Sequence, residues 1–338
     1  MKHVYRALNL LVAGVLSGCY PLHATLGHLD LMAQRQPIEV LTADPATPDA
    51  YKARLELAAA MRTFASRHLA LPDNGAYRQY VRLSGDYPVW TVWVTPEFEL
   101  EPRQSCFPVA GCVPYRGYYA RAAAEDYAAR FRAAGDDVLV GGVTAYSTLG
   151  YFDDPLTSAM LRLPDERLAG LIFHELAHQV VYVKDDATFN ESFARAVEIE
   201  GTLRWLAHRR DTAGLAAYRA ALDRADAFLE SVKATRGELA ALYNLPLDTA
   251  DKRAGKQRIF AALRDGHRWR VVADPAWVVY DPWFEGELNN AKLAAVATYF
   301  DEVGRFRALL TTHDGDFAAF YAAVKALAAE RRVARLSP

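Results

Sequence analysis

Residues 173–179 read Phe173-His174-Glu175-Leu176-Ala177-His178-Gln179, and the reading of the chain works outward from them. His174 and His178 are four apart, so on a helix both imidazoles project from one face and can reach a single cation. Glu175 stands between them, where a water on that cation would sit. Upstream, Leu168, Leu171 and Ile172 supply an apolar helical face, and Asp165 after Pro164 is a candidate N-cap. Two histidines buried for packing alone would give the intervening carboxylate no purpose.

A catalytic Zn²⁺ site needs a third protein ligand and an open fourth position. The next segment, Thr188 to Gly201, reads as a second helix with Phe193, Ala194, Val197 and Ile199 on its buried side. Its carboxylates Glu191 and Glu198 are two turns apart on one face, so either can point at the metal. Glu191 is the better candidate, because it follows the short polar link Lys184-Asp185-Asp186, which lets the two helices pack antiparallel. Glu198 then serves to orient a ligand or contact substrate, or pairs with Arg195 or Arg204.

The pairing of HELAH (174–178) with NESFA (190–194) resembles the gluzincin metallopeptidases, and a closer resemblance covers most of the chain. It is to a bacterial family of predicted aminopeptidases, many of them lipoproteins. The matching stretches are LALPDNGAYRQY (69–80), CFPVAGCVPYRGYY (106–119), GGVTAYSTLGYFDDPL (141–156), LIFHELAHQVVYVKDDATFNESFA (171–194) and LNNAKLAAVATYF (288–300). The resemblance implies one Zn²⁺ per chain on His174, His178 and Glu191, with Glu175 as general base. The G-x-M-E-N segment with which aminopeptidase N-like enzymes hold a free amine is missing, so zinc peptidase is the firmer expectation. Release of N-terminal residues from envelope peptides is the finer one. A zinc endopeptidase, or a lipoprotein that binds metal without catalysis, is the alternative.

The amino terminus speaks to compartment. Lys2, His3 and Arg6 form a basic start, Ala7 to Leu16 an apolar run too short to span a bilayer, and Leu16-Ser17-Gly18-Cys19 follows. Residues 1–18 read as a signal peptide. The Leu-Ser-Gly-Cys ending resembles a bacterial lipobox, which implies cleavage before Cys19, lipidation of its thiol and a membrane anchor facing the periplasm. Tyr20 in place of Asp after the cysteine resembles outer-membrane sorting. Of the three cysteines, Cys106 and Cys112 remain. No second cysteine pair or nearby histidine completes a zinc site, and an oxidising compartment favours their disulfide.

Composition bounds the rest. Without Lys2 and Arg6 the chain carries 37 basic against 41 acidic residues, a net −4 with histidine neutral, and no basic patch to serve nucleic acid. Hydrophobic residues make up 52%, enough for a large core in residues 19–338, one domain with an N-terminal α+β lobe (about 19–164) and a helical lobe (about 165–338). Periodicity predicts a helix over 47–70, a strand over Val89 to Val94, a helix over 120–134, and strands at 138–140 and 143–148 broken by Gly141-Gly142. Helices are expected over 166–183, 189–208, 213–236, 250–266, 289–310 and 315–333, with 213–242 in a helical hairpin arm. The class is α+β, predominantly helical, with a small sheet on the N-terminal side.

Within that frame, Thr144 to Thr148 is the candidate edge strand for pairing with a peptide substrate, or an ordinary buried strand. Tyr146, Tyr151, Tyr115 and Tyr299 are candidates to hydrogen-bond an oxyanion. Arg116 could recognise a carboxylate or pair with a structural acid. A substrate ammonium would need anions, for which Glu198, Asp153 and Asp154 are the candidates.

Overall fold

The computed structural model describes residues 20, 23–107, 111–297 and 302–336. In chain order its helices are α1 (23–33), α2 (Ile38–Ala43), α3 (Asp49–His68), α4 (Arg121–Ala133), α5 (Ser158–Leu161), α6 (Asp165–His178) and α7 (Ala187–His208). There follow α8 (Thr212–Tyr243), α9 (Thr249–Ala273), a 3₁₀ turn (Pro275–Tyr280), α10 (Asp281–Phe284), α11 (Asn290–Ala297), α12 (Val303–Thr312) and α13 (Phe317–Leu336). The strands are β1 (Gln36–Pro37), β2 (Gln79–Val81), β3 (Val89–Thr95), β4 (Ser105–Phe107), β5 (Gly111–Val113), β6 (Arg116–Tyr118), β7 (Asp137–Val143) and β8 (Leu156–Thr157). The fold is α+β and predominantly helical, as the periodicity predicts.

Three small sheets sit among the helices: β1-β2-β8, the antiparallel β6-β3-β7, and the hairpin β4-β5. In that hairpin Cys106 lies directly opposite Cys112, and the two form the expected disulfide. The main core is built by α3, α6, α7, α12 and α13, through Met61, Phe173, Leu176, Phe193, Phe306 and Phe320. It therefore joins residues on both sides of position 164. A second cluster, with Phe228, Leu263, Trp277 and Phe284, fills the arm made by α8, α9, the 3₁₀ turn and α10. A third packs α4 on β3 and β7 through Val92, Val94, Ala128 and Val138.

A buried polar cluster fastens the arm to the sheet. Lys256 Nζ donates to Asp137 Oδ2 at 2.6 Å and to the Glu97 carbonyl at 2.9 Å. Asn290 donates its backbone N–H to the same Asp137 oxygen and its amide to the Glu97 and Glu99 carbonyls. Asn290 and Lys256 thus satisfy loop carbonyls just past the end of β3 that would otherwise lie orphaned beneath the arm. Among the described residues no helix is long and apolar enough to cross a membrane.

Several sequence expectations are corrected. The strand at β7 runs unbroken through Gly141-Gly142; glycine is needed there because the Tyr87 ring covers Gly142, leaving 2.1 Å between an added Cβ and Tyr87 Cδ2. Thr144 to Thr148 is not a strand. Asp154 accepts hydrogen bonds from the Thr148 N–H and hydroxyl, both at 2.8 Å, and Leu149 and Gly150 turn the chain with positive φ. Side-chain-to-backbone bonding overrides the β propensity of that stretch. Asp165 is the first helical residue, not the cap, and pairs with Arg54. Helix α6 ends at His178, five residues early, because Asn190 clamps Val183 in the following loop, accepting from its N–H at 2.7 Å and donating to its carbonyl at 2.8 Å. The expected helix 289–310 is two helices, α11 and α12, and α8 and α9 each extend about a turn or two beyond their predicted ends. Cys19 and Tyr299 lie outside the described residues, as does the whole of the leader, residues 1–18.

Candidate metal centre

Helices α6 and α7 pack against each other and run antiparallel, since His178 meets Glu191 at one end while Gly170 meets Glu198 and Thr202 at the other. Close approach is possible because position 170 is glycine: a Cβ there would stand 3.0 Å from Glu198 Cγ. Asp186 starts α7, its carboxylate accepting from the Phe189 N–H at 3.0 Å, and Arg331 holds it from α13. This fixes Glu191 in the second turn, facing the histidines.

One nitrogen each of His174 and His178 and one Glu191 oxygen lie within 4.8 Å of one another. The two Nε2 atoms are 3.2 Å apart, and Glu191 oxygens lie 3.3 Å from His174 Nε2 and 3.8 Å from His178 Nε2. Behind His174, Nδ1 lies 3.2 Å from Glu198 Oε2, while the other Glu198 oxygen accepts from Arg195. That bond turns His174 Nε2 toward the cluster, as carboxylates behind ligand imidazoles do. Two nitrogens and a carboxylate converging this closely match the donor chemistry of a divalent metal such as zinc.

The electrostatics follow from crowding. Burial pulls the His174 imidazole down, but Glu191 and Glu198 outweigh it and raise its pKa well above the usual value. Burial takes His178 down to about 4 despite Glu191. Burial pushes Glu175 up to about 7, helped by Glu191 and Asp154 and opposed by His174 and Ser147. Glu198 goes the other way: burial would raise it, yet Arg195 and His174 hold it at about 2. Paired carboxylates pushed in opposite directions are characteristic of sites where one stays charged and another exchanges a proton.

The remaining candidates are scattered. The Tyr146 hydroxyl is taken up by Tyr119, which donates to it at 2.8 Å, and by His28 Nδ1 at 2.5 Å. Tyr151 is exposed on the surface turn. Tyr115 packs on Trp93, and burial together with the charges of Glu191 and Glu175 raises its pKa. Tyr182 and the buried Tyr77 feel Glu191 and Glu175 respectively, and the sequence reading passed over both. Tyr77 lies in the LALPDNGAYRQY stretch and carries φ 60°, a strained backbone that marks it out only once the fold is known. The Arg116 guanidinium sits 3.7 Å from the Tyr20 ring and 5.0 Å from that of Tyr127, in an aromatic cage instead of on a carboxylate. Asp154 is bound by Thr148, and Asp153 lies beside Gly75.

Fold and site together define an α+β, mainly helical protein with a His/His/Glu cluster able to hold a metal ion. The chain belongs to the family described as Putative aminopeptidase, whose family model matches residues 19–337. No curated protein and no solved structure matches it.

Proposed function

We propose that the protein is a zinc-dependent peptidase of the cell envelope that removes N-terminal residues from peptides. The observation that carries this reading is the convergence of His174, His178 and Glu191 beside Glu175, in a chain of the family described as Putative aminopeptidase. His174, His178 and Glu191 would hold the Zn²⁺, which when bound would supply Lewis acidity to the scissile carbonyl and the attacking water. Glu175, with a pKa near neutrality, takes the proton from the attacking water and passes it to the leaving amine. Glu198 keeps the His174 ring oriented and stays charged while it does so. Tyr115, a buried phenol that feels both Glu191 and Glu175 and stays protonated, is our candidate donor to the oxyanion.

Anchoring through a lipidated Cys19 is part of the same proposal. The family match begins at Cys19, where the leader reading ends the signal peptide. The test is metal analysis of residues 20–338 followed by a peptide panel. We expect about one zinc per chain, lost in His174→Ala, and turnover lowered about a hundredfold to ten-thousandfold in Glu175→Gln with the zinc kept. Undiminished turnover in Glu175→Gln would remove the peptidase mechanism.

A further inference from the structure

An apolar strip lies open beside the start of the fold. In α1, Leu26, Leu29 and Ala33 are three and then four residues apart, so they line one crest of the helix. All three are exposed, the two leucines at 55% and 57%. The opposite side of α1 is committed: Gly27 lies directly on the Tyr119 ring, His28 Nδ1 pairs with the Tyr146 hydroxyl, and Leu31 is buried. The turn at 150–153 extends the strip sideways. Phe152 packs on the His28 ring at 4.5 Å between centroids, and Arg35 Nη1 donates to the Asp153 carbonyl at 3.2 Å. Strapped to α1 in this way, Tyr151 and Phe152 are still 70% and 53% exposed. One exposed leucine needs no explanation, but four large apolar side chains on two adjoining segments mark an interaction surface.

The position of the strip says what covers it. The Tyr20 hydroxyl is bonded to the Gly117 carbonyl, two residues from the Tyr119 on which α1 rests. Leu26 is six residues from Tyr20, at most about 20 Å of chain. Acyl chains on Cys19, the neighbour of Tyr20, would therefore enter a bilayer within that distance of the strip. The charges at its edge, Asp30, Asp153 and Arg35, are of mixed sign and form no basic patch. Such a face is suited to the acyl boundary and not to anionic headgroups.

We propose that the α1 crest and the Tyr151-Phe152 turn form the membrane-contacting face of the protein, seated in the surface of the bilayer that holds Cys19. The inference rests on the anchoring reading for the identity of the partner. The strip is the weaker of two signals: a few apolar side chains bind a bilayer reversibly, and the acyl anchor makes the contact persistent. Tyr151, apolar in its ring and polar at its tip, suits the boundary between headgroups and chains. Gly150 in the same turn lies against Gln179, the residue after His178, with 3.1 Å between an added Cβ and Gln179 Cγ. The seated face therefore holds the end of α6 close to the membrane.

The test places the full acylated protein in vesicles of phosphatidylethanolamine and phosphatidylglycerol with brominated acyl chains, which quench tryptophan at short range. Phe152→Trp adds an indole on the turn, and Val272→Trp adds one on the arm, which also exposes Trp269 and Val272. The fluorescence of each above wild type is read with and without bromine. We expect the indole at position 152 to lose about half its signal or more, as an interfacial side chain would, and the one at 272 to lose none. The loss at 152 should persist in about 1 M salt, where charge attraction is screened within about 3 Å. It should fall at least about twofold when Leu26→Asp and Leu29→Asp, both at exposed positions, are added. The mass of the N-terminal peptide scores acylation separately. Acylated protein with no quenching at 152, or with quenching at 272 instead, would overturn the face and leave the anchor. A dimer dissolved by the two Asp substitutions, again without quenching, would give the strip to a second copy and overturn the proposal. Protein without acyl chains would overturn the anchor. The face then stands if that protein floats with the vesicles and the two Asp substitutions abolish flotation, and it falls if they do not.

Discussion

Glu175 and Glu198 are both enclosed by the α6–α7 pair, yet one is pushed up to about 7 and the other held at about 2. The difference is what each one touches: Glu198 has Arg195 and His174, while Glu175 has mainly low-dielectric surroundings and a second carboxylate. Glu198→Gln should therefore weaken zinc binding about tenfold to a hundredfold, the usual cost of removing a carboxylate behind a ligand imidazole, and a competition titration with a chelator would read it. Unchanged affinity would mean that Glu198 serves only Arg195. Asp154 offers a pH test. Burial raises it from 3.8 to about 6, so its proton is held more tightly in the folded state than in the unfolded one. The stability it contributes is complete below about pH 4 and is lost as pH rises through about 6. Relative to wild type, Asp154→Asn should gain up to about 3 kcal/mol between pH 4 and pH 7, measured by denaturant unfolding at both. A difference that stays flat across that range would rule out a raised Asp154. At this scale the ligand spacing was legible, because i and i+4 on one helix is local geometry. The fates of Tyr146 and Arg116 were not, because Tyr119, His28 and Tyr20 reach them only through the tertiary fold.

Among the elements, the long helices came through the sequence best, since each repeats its apolar period over several turns. Helix α7 needed only Asp186 and a buried stripe to place Glu191 correctly. What escaped was where α6 stops, because the clamp on Val183 is a side chain seven residues onward. The short strands escaped too: two or three residues carry almost no period, and the Thr144 to Thr148 stretch shows propensity yielding to an aspartate six residues away. The Asn-Asn-Ala-Lys stretch is legible only as a likeness to relatives until the arm is seen to dock. Its prediction follows from burial. Asp137 and Lys256 side chains are each 11% exposed, so Lys256→Met strands a carboxylate in the interface and should cost about 3–5 kcal/mol in unfolding free energy. Lys256→Met together with Asp137→Leu should recover most of that loss. If the double variant is as unstable as the single one, the staple is not an ion pair in any energetic sense.

For the whole molecule, the chain is held from its first described residue. The Tyr20 hydroxyl donates to the Gly117 carbonyl at 2.8 Å, and its ring lies under the Arg116 guanidinium, so the position after Cys19 is fixed on β6. A cation–π contact of this kind contributes roughly 0.5–2 kcal/mol, enough to keep the segment docked most of the time. If Cys19 carries acyl chains, no free linker stands between bilayer and fold, and the body sits against the membrane surface. Cys19→Ser should then move the protein from the membrane to the soluble fraction of the envelope, as fractionation would read. Its turnover of small soluble peptides per bound zinc should stay within about twofold of wild type, because the metal centre lies on α6 and α7 and owes nothing to the anchor. Arg116→Ala separates the two ideas. It should leave acylation intact but free Tyr20, making the segment around Cys19 more open to limited proteolysis in detergent-solubilised protein. Equal protease resistance in wild type and Arg116→Ala would show that the aromatic cage does not pin the start of the fold.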